Sequence, residues 1–336
     1  MKNIVLYLCI LICQSTFGQV TFTNPLLPSG ADPWVVYKDG YFYYTHTVGD
    51  KINLWKTKNL HELKNVSPKT VWTPPLTGPN SKAIWAPELH FLDGKWYLYY
   101  TATDISNPGD DSRYVFVLEN VTSDPMNEKW TDKGKMNTHY SGLDGSVFEH
   151  QGNRYFVYSA YVGPQSVLII ARMKNPWTLI DQQLEIAKPT KAWEKFGGRE
   201  ILEGPQFLTR NQGGKVFIIY SASACWADEY ALGMLTADNT SDLLKPSSWT
   251  KSEQPVFKQS AENNVLAPGH NSFFTSPDGK EHWILYHANA GPGQGCDHRR
   301  SPRIQQFNWK KDGTPDFGVP VKTDSLQRAP SSRDTN

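Results

Sequence analysis

One phrase recurs along this chain at intervals of roughly 60 residues, and it is built from strand-forming residues. Each copy has a glycine-containing turn, a strand rich in aromatic and β-branched residues that ends in Tyr, and then a small or hydroxylated residue, except that the fifth copy has His287 there. The turn glycines are Gly40, Gly94, Gly152, Gly214 and Gly279. A repeat that supplies strands and no helix predicts small antiparallel sheets arranged in a ring, so we expect an all-β, five-bladed β-propeller.

A second recurring mark, a tryptophan in a late strand, indicates where each blade closes. The marks are Trp72, Trp130, Trp177, Trp249 and a looser copy at Trp309. They are interpreted as packing between blades rather than as catalytic groups. The predicted blades cover residues 26–75, 80–135, 138–195, 198–255 and 262–322. No linker rich in Ser or Gly divides residues 19–322, which are therefore predicted to form a single domain, followed by a polar C-terminal tail at 323–336.

The first 18 residues have the pattern of a secretory signal peptide. Lys2 gives a basic start, residues 4–13 form an apolar run too short to span a bilayer, and small residues lead to a cleavage site after Gly18. A lipoprotein signal through Cys13 is the alternative, but Ile12 is bulky where such a site needs a small residue. The protein is predicted to be secreted or periplasmic, with no membrane segment after cleavage.

The charge balance excludes some classes of binding partner. The chain has 34 basic and 33 acidic residues, and this balance argues against a nucleic-acid partner or an anionic membrane surface. A composition of 13% aromatic and 20% charged residues suits packed sheets with a sugar-binding surface.

Outside the leader the cysteines are Cys225 and Cys296, which follow the Tyr-ended strands of neighbouring blades. A disulfide between them and two separate thiols both remain open.

Four residues with ionisable side chains and one small alanine stand a short distance before the repeated turns. They are Asp32, Ala86, Asp144, Glu203 and His270, one for each predicted blade. The innermost strands of a propeller run beside its axis, so equivalent positions in different blades converge there. Taken singly, an Asp before Pro or Gly is usually a turn former. Three carboxylates near the starts of corresponding strands favour a site instead.

Crowded carboxylates suit one class of reaction. Neighbouring negative charges raise one another's pKa, so one carboxyl group can stay protonated while another is ionised. Cleavage of a glycosidic bond needs such a pair: an acid that protonates the leaving oxygen and a carboxylate that activates water or attacks carbon. The sequence therefore predicts sugar hydrolysis.

The same residues resemble glycoside hydrolase family 43 over nearly all of residues 24–322. The likeness is carried by the motifs Ala31-Asp32-Pro33, Ile84-Trp85-Ala86-Pro87-Glu88, Leu143-Asp144-Gly145-Ser146, Leu202-Glu203-Gly204-Pro205 and Gly269-His270-Asn271-Ser272. It implies an inverting mechanism with Asp32 as general base, Glu203 as general acid and Asp144 as the group that tunes and positions the acid. Inversion predicts about 6.5–9.5 Å between the carboxyl groups of base and acid.

The resemblance also suggests residues that bind substrate. Trp85 would form part of the wall of the sugar subsite, and Ala86 would be small so that the sugar can sit over the axis. His270 has three interpretations: a core group, a substrate contact, or a ligand of a calcium or similar ion near the central channel, which would be coordinated mostly by water. Arg300 would hold sugar hydroxyls or support a carboxylate, with Arg303 as the competing candidate.

Further likeness concerns the sugar. Residues 82–90, 220–224, 232–236 and 309–318 are similar to the branch of the family that holds exo-acting α-L-arabinofuranosidases. This implies removal of terminal α-L-arabinofuranosyl residues from arabinan, arabino-oligosaccharides or arabinoxylan, so the expected partner is a plant cell-wall polysaccharide or oligosaccharide. The chemistry itself would require no cofactor. A β-xylosidase or exo-galactanase of the same fold, or a non-catalytic carbohydrate-binding propeller, remains the alternative.

Overall fold

The computed structural model describes residues 20–210 and 213–332, so the predicted signal peptide at 1–18 lies outside the described residues. The strands, in chain order, are β1 (Thr21–Phe22), β2 (Ala31–Lys38), β3 (Tyr41–Thr47), β4 (Ile52–Thr57), β5 (Lys69–Trp72), β6 (Lys82–Leu92), β7 (Lys95–Thr103), β8 (Tyr114–Asn120), β9 (Thr131–Lys135), β10 (Gly142–His150), β11 (Asn153–Val162), β12 (Gln165–Asn175), β13 (Thr178–Ala187), β14 (Glu200–Thr209), β15 (Lys215–Ala222), β16 (Ala231–Asp238), β17 (Thr250–Lys251), β18 (Leu266–Thr275), β19 (His282–Asn289), β20 (Ser301–Trp309), β21 (Pro315–Asp316) and β22 (Gln327–Arg328). Short 3₁₀ helices occupy connections at Leu60–Asn65, Asp110–Ser112, Ala192–Glu194, Phe196–Gly198 and Pro246–Ser248. In this part of the chain no helix is long and apolar enough to cross a bilayer.

The strands form consecutive antiparallel meanders of four. Across residues 20–210 and 213–332 these are β2 to β5, β6 to β9, β10 to β13, β14 to β17 and β18 to β21, which confirms the predicted all-β, five-bladed propeller. The first strands of neighbouring blades pack against one another around the axis. Blades three and four are also joined by a short parallel pairing of β12 with β14.

Apolar side chains fill the spaces between blades. One cluster joins Tyr43 and Ile52 of blade one to Leu89 and Trp96 of blade two, and the other clusters join neighbouring blades in the same way. The tryptophans that mark blade ends all pack in or against these clusters. Each blade therefore buries both of its faces, which is why the repeated strands carry apolar residues at successive positions.

Segments near the two ends of the described chain lie between blades five and one. Strand β1 pairs with β22, and Asn24 exchanges hydrogen bonds with the backbone of Ile304 in β20: its amide nitrogen donates to the carbonyl at 2.8 Å, and its amide oxygen accepts from the N–H at 3.0 Å. Ala329, which lies in the segment predicted as a polar tail, is buried. Part of that segment thus belongs to the folded structure.

A bulge interrupts the first strand of every blade at the same place. In each case the ladder skips two residues, and the first of the two has a positive φ. These residues are Asp32 (55°), Ala86 (44°), Asp144 (56°), Gly204 (55°) and His270 (46°). A left-handed φ is uncommon for residues other than glycine, and bulges are known to redirect side chains next to functional sites. Here they occur together at one end of the axis.

Hydrogen bonds link each bulge to the preceding blade. Thr47 Oγ1 accepts from Ala86 N (2.7 Å), Thr101 Oγ1 from Asp144 N (3.1 Å), Ser221 Oγ from His270 N (2.7 Å) and His287 Nδ1 from Asp32 N (3.0 Å), while Ser159 Oγ donates to Leu202 O (2.6 Å). In four of these links the side-chain partner is the residue that follows the last Tyr of the repeated phrase. In blade one it is Thr47, which lies two positions beyond that residue. The repeated hydroxyl thus satisfies buried backbone groups at the end of the axis where the bulges lie.

Candidate active site

A cavity of about 590 Å³ opens where the bulges meet. Of the residues singled out from sequence, it is lined by Asp32, Trp85, Asp144, Glu203, His270 and Arg300. Ala86 does not line it: this residue is 4% exposed and occupies the bulge position of blade two, while the residue before it, Trp85, reaches the cavity wall. The cavity therefore brings together carboxylates that are far apart in the sequence.

Asp32 is held by a cation and by a hydroxyl group. Arg300 Nη1 donates to Asp32 Oδ1 at 3.1 Å, and Thr47 Oγ1 donates to Asp32 Oδ2 at 2.6 Å. Burial by itself would raise the pKa of Asp32, but the positive charge of Arg300 and the contacts with His270 and His287 outweigh it, so the pKa lies well below its usual value. Asp32 is therefore ionised at neutral pH.

The pKa values of the other two carboxyl groups are shifted in the opposite direction. Burial raises the pKa of Glu203 to about 7, the charge of Asp32 adds to this, and the hydrogen bond from Tyr230 to Glu203 Oε1 (2.7 Å) opposes it. Burial, and then the charges of Glu203 and Asp32, holds the pKa of Asp144 well above its usual value, although Gly204 N donates to Asp144 Oδ2 at 3.0 Å. The cavity thus holds one ionised carboxylate beside two that retain protons readily.

His270 lies between two of the acids. Its Nδ1 atom is 3.4 Å from Asp32 Oδ1 and 3.8 Å from Asp144 Oδ2, and burial lowers the pKa of its imidazole. Within the described ranges there is no group of three or more His, Cys, Asp or Glu side chains placed to hold a metal ion. Because calcium takes six to eight oxygen ligands, an ion beside His270 would be coordinated largely by water.

Glu203 differs in register from the residues with which it was aligned. It was aligned with Asp32 and Asp144 because all three lie near the start of a first strand, although Glu203 stands 11 residues before its turn glycine and the aspartates stand 8 before theirs; the bulge position of blade four is taken by Gly204. Glu203 still pairs with β15, in the position that Trp85 takes in blade two. Its side chain therefore enters the same cavity from the strand position next to the bulge.

Several residues of the site were not singled out from sequence. Tyr230 contacts Glu203, His287 and Thr47 contact Asp32, and Arg113 stacks on Trp85 with its guanidinium carbon 3.9 Å from the ring centroid. His287 departs from the hydroxyl residue of the other copies of the repeat, and that departure was a usable signal. Tyr230 lies in a loop without a repeating pattern and gave none.

Of the two candidate arginines, Arg300 belongs to the site. Besides Asp32, its guanidinium contacts Cys296 O through Nη2 at 3.0 Å. Arg303 is fully buried elsewhere and donates to Thr323 Oγ1 at 2.7 Å. Cys225 and Cys296, whose pairing was left open, form a disulfide, and both line the cavity.

Comparison with known proteins agrees with this geometry. Residues 22–315 match the model of "Glycosyl hydrolases family 43". The chain belongs to this family. This family 43 chain is 42% identical to an extracellular exo-α-(1→5)-L-arabinofuranosidase of Streptomyces avermitilis, over 90% of its own length and 64% of the relative. It is 37% identical to alpha-L-arabinofuranosidase 43 of Humicola insolens, over 92% of its length and 66% of the relative.

The family 43 fold is also seen in a solved structure of similar size. The crystal structure of α-L-arabinofuranosidase from Lactobacillus brevis superimposes with a TM-score of 0.84 and 37% identity, covering 90% of this chain and 98% of that one. By contrast, the chain spans just under two thirds of the length of the two relatives from Streptomyces avermitilis and Humicola insolens.

Proposed function

We propose that this protein is an inverting glycoside hydrolase that removes terminal α-L-arabinofuranosyl residues from arabinan, arabino-oligosaccharides or arabinoxylan. The observation that carries the proposal is one cavity lined by Asp32, Asp144 and Glu203, in which the pKa of the first is lowered and those of the other two are raised. An acid and a base with separated pKa values are what glycosidic cleavage requires.

Asp32 is the general base. Its carboxylate stays ionised because Arg300 lies beside it, so it can take a proton from a water molecule as the water oxygen attacks the anomeric carbon. The hydroxyl of Thr47 fixes the second carboxylate oxygen and orients the group. The new bond forms on the face opposite the leaving group, so the configuration at the anomeric carbon inverts.

Glu203 is the general acid. With a pKa near 7 it is still largely protonated at mildly acidic pH, and it donates its proton to the glycosidic oxygen as the bond to the anomeric carbon breaks. Asp144 tunes this acid. Two negative charges close together are unfavourable, so Asp144 and Glu203 each favour the protonated form of the other. The reaction returns Glu203 as a carboxylate and Asp32 as a carboxylic acid, and exchange with solvent resets both. Inversion requires the base and acid to be about 6.5–9.5 Å apart, with the water between them.

The substrate class is inferred from the relatives. The proteins from Streptomyces avermitilis, Humicola insolens and Lactobacillus brevis are all named arabinofuranosidases, and the first is named extracellular and exo-acting on (1→5) linkages. Together with the signal-like residues 1–18, this supports a secreted or periplasmic enzyme whose partner is a plant cell-wall polysaccharide or oligosaccharide. Trp85, which is 37% exposed at the cavity wall, offers an aromatic face for a sugar ring.

The proposed reaction needs only carboxyl groups and water, so a calcium ion near His270 would have a structural role. Isothermal titration of the chelated protein with calcium tests that part of the proposal, since a tightly bound ion would give a saturable heat. No step above depends on its result.

Product analysis tests the function. Digests of α-1,5-arabinan, arabinoxylan, xylan and galactan should yield free arabinose from the first two, and proton NMR should show β-arabinofuranose as the first anomer released. Release of xylose or galactose in place of arabinose would support the β-xylosidase or exo-galactanase alternative. A protein that binds these polymers and hydrolyses none, including aryl arabinofuranosides, would be a carbohydrate-binding propeller.

A further inference from the structure

We propose that the Cys225–Cys296 disulfide is a positioning device for the proposed acid and base together, because it joins the loop that carries Tyr230 to the loop that carries Arg300. Tyr230 is the hydrogen-bond partner of Glu203, and Arg300 is the ion-pair partner of Asp32. This inference rests on the proposed function for its kinetic test, although the geometry on which it is built does not.

The first loop runs from the end of β15 to the start of β16. Cys225 follows Ala224, whose N–H donates to Phe196 O at 3.0 Å. From there two successive turns lead to the tyrosine: Ala227 N donates to Ala224 O at 2.9 Å, and Tyr230 N donates to Ala227 O at 3.1 Å. Cys225 lies inside the first of these turns, and the second turn leads directly to Tyr230.

The second loop runs from the end of β19 to the start of β20, and here the connection is more direct. The carbonyl oxygen of Cys296 itself accepts from Arg300 Nη2 at 3.0 Å, while Arg300 Nη1 reaches Asp32. Arg300 also donates through its backbone N to Asp297 O at 3.4 Å. A shift of the backbone at Cys296 therefore moves one of the groups that fix the guanidinium against Asp32.

Most other hydrogen bonds of the second loop are internal to it: for example, Asn289 Nδ2 donates to Gly295 O at 2.9 Å and Arg299 Nη2 donates to Gln294 O at 2.7 Å. Between Asn289 and Cys296 the chain has Gly291, Gly293 and Gly295, and the last two have φ values of 65° and 68°. A further contact with the first loop is the N–H of Gly293, which donates to the carboxylate of Asp228 at 3.0 Å. Glycine-rich segments have high conformational entropy when they are not tethered. The disulfide supplies that tether beside the cavity.

The test compares the wild type with Cys225→Ser/Cys296→Ser at 25 °C on an aryl α-L-arabinofuranoside and on arabinobiose. Removing the tether should lower kcat/KM by about tenfold or more, mainly through kcat, because small misplacements of catalytic partners are costly. The same replacement made in an Arg300→Lys/Tyr230→Phe background should have an effect of less than about threefold, since the groups it positions are already altered.

The matched control is Leu168→Ala, which removes buried methyl groups from blade three and should lower Tm while leaving kcat/KM unchanged. A purely stabilising disulfide would behave like this control. Unchanged kcat/KM in the double serine variant, or an equal fold-loss in both backgrounds, would overturn the inference.

Hydrogen exchange provides a measurement that needs no substrate. Residues 223–230 and 289–300 should exchange faster in the double serine variant, and blade two should not change. Unaltered exchange in both loops would overturn the inference whatever the activity. A wild type inactive on every sugar would instead count against the proposed function, and the exchange result would still decide whether the disulfide orders these loops.

Discussion

Arg300 Nη1 lies 3.1 Å from Asp32 Oδ1, and this ion pair gives Asp32 a pKa that differs from those of the other acids of the cavity. Glu203 has a phenol rather than a cation as its direct partner, since Tyr230 donates to it at 2.7 Å. Both carboxyl groups are largely removed from solvent, and this alone would raise the pKa of each. The kind of partner thus determines which group is ionised and can act as base, and which can hold a proton and act as acid.

Replacing Arg300 by Met should move the acidic limb of the pH dependence of kcat/KM to higher pH. The pKa of Asp32 lies below its usual value in the folded protein, and loss of the adjacent positive charge raises it, so the base becomes protonated at a higher pH. Arg300→Lys keeps the charge and should shift the limb less. A profile whose acidic limb is unchanged in Arg300→Met would show that the guanidinium does not control the base.

Tyr230→Phe should instead move the basic limb of the pH dependence of kcat/KM, and to higher pH. The hydroxyl of Tyr230 donates to Glu203 and favours its ionised form, so its removal raises a pKa that is already about 7. A hydrogen bond to a charged group contributes about 1.5–3 kcal/mol, which corresponds to roughly one to two pH units. The same pH profiles measure this shift. An acidic limb that moves while the basic limb stays would contradict the assignment of Glu203 as acid.

Repetition explains how much could be predicted from sequence. Because the same turn and strand recur, the blades and the positions of Asp32 and Asp144 followed from counting. Glu203 was aligned one position away from its true equivalent, Gly204, because the distance to the turn glycine differs in blade four: Gly204 stands 10 residues before Gly214, whereas Asp32 and Asp144 stand 8 before theirs. Its side chain still lines the same cavity as those of Asp32 and Asp144.

Residues outside the repeat could not be predicted in this way. Tyr230 is placed by turns in a loop whose length and conformation belong to blade four alone. The pairing of Cys225 with Cys296 stayed open because proximity of two blades does not establish the distance between two loop residues. Ala86, expected to be small beneath the sugar, takes the bulge position of blade two and does not itself line the cavity, whereas Trp85 lines it.

Thr101→Val should destabilise the protein by about 1–3 kcal/mol, the cost of leaving a buried donor unsatisfied. The substitution keeps the side-chain shape but removes the acceptor for Asp144 N, which donates to Thr101 Oγ1 at 3.1 Å. Urea unfolding measures the change. Thr131→Val, at an exposed position of β9 whose side chain makes no hydrogen bond to the described residues, is the matched control and should change stability by less than about 0.5 kcal/mol. Equal stability of the two variants would show that the hydrogen bonds between neighbouring blades contribute little.

Asp32→Asn and Glu203→Gln should be distinguished by the leaving group of the substrate. On arabinobiose the leaving sugar hydroxyl needs a proton, so loss of the acid at Glu203 should cost about 10²–10⁴-fold in kcat/KM. On 4-nitrophenyl arabinofuranoside the leaving phenol is far more acidic, and the same variant should lose much less. Asp32→Asn removes the group that activates water, a step common to both substrates, so its losses should be large and similar on the two. A Glu203→Gln variant that loses activity equally on both substrates would assign the proton donor to another residue, with Asp144 the next to test.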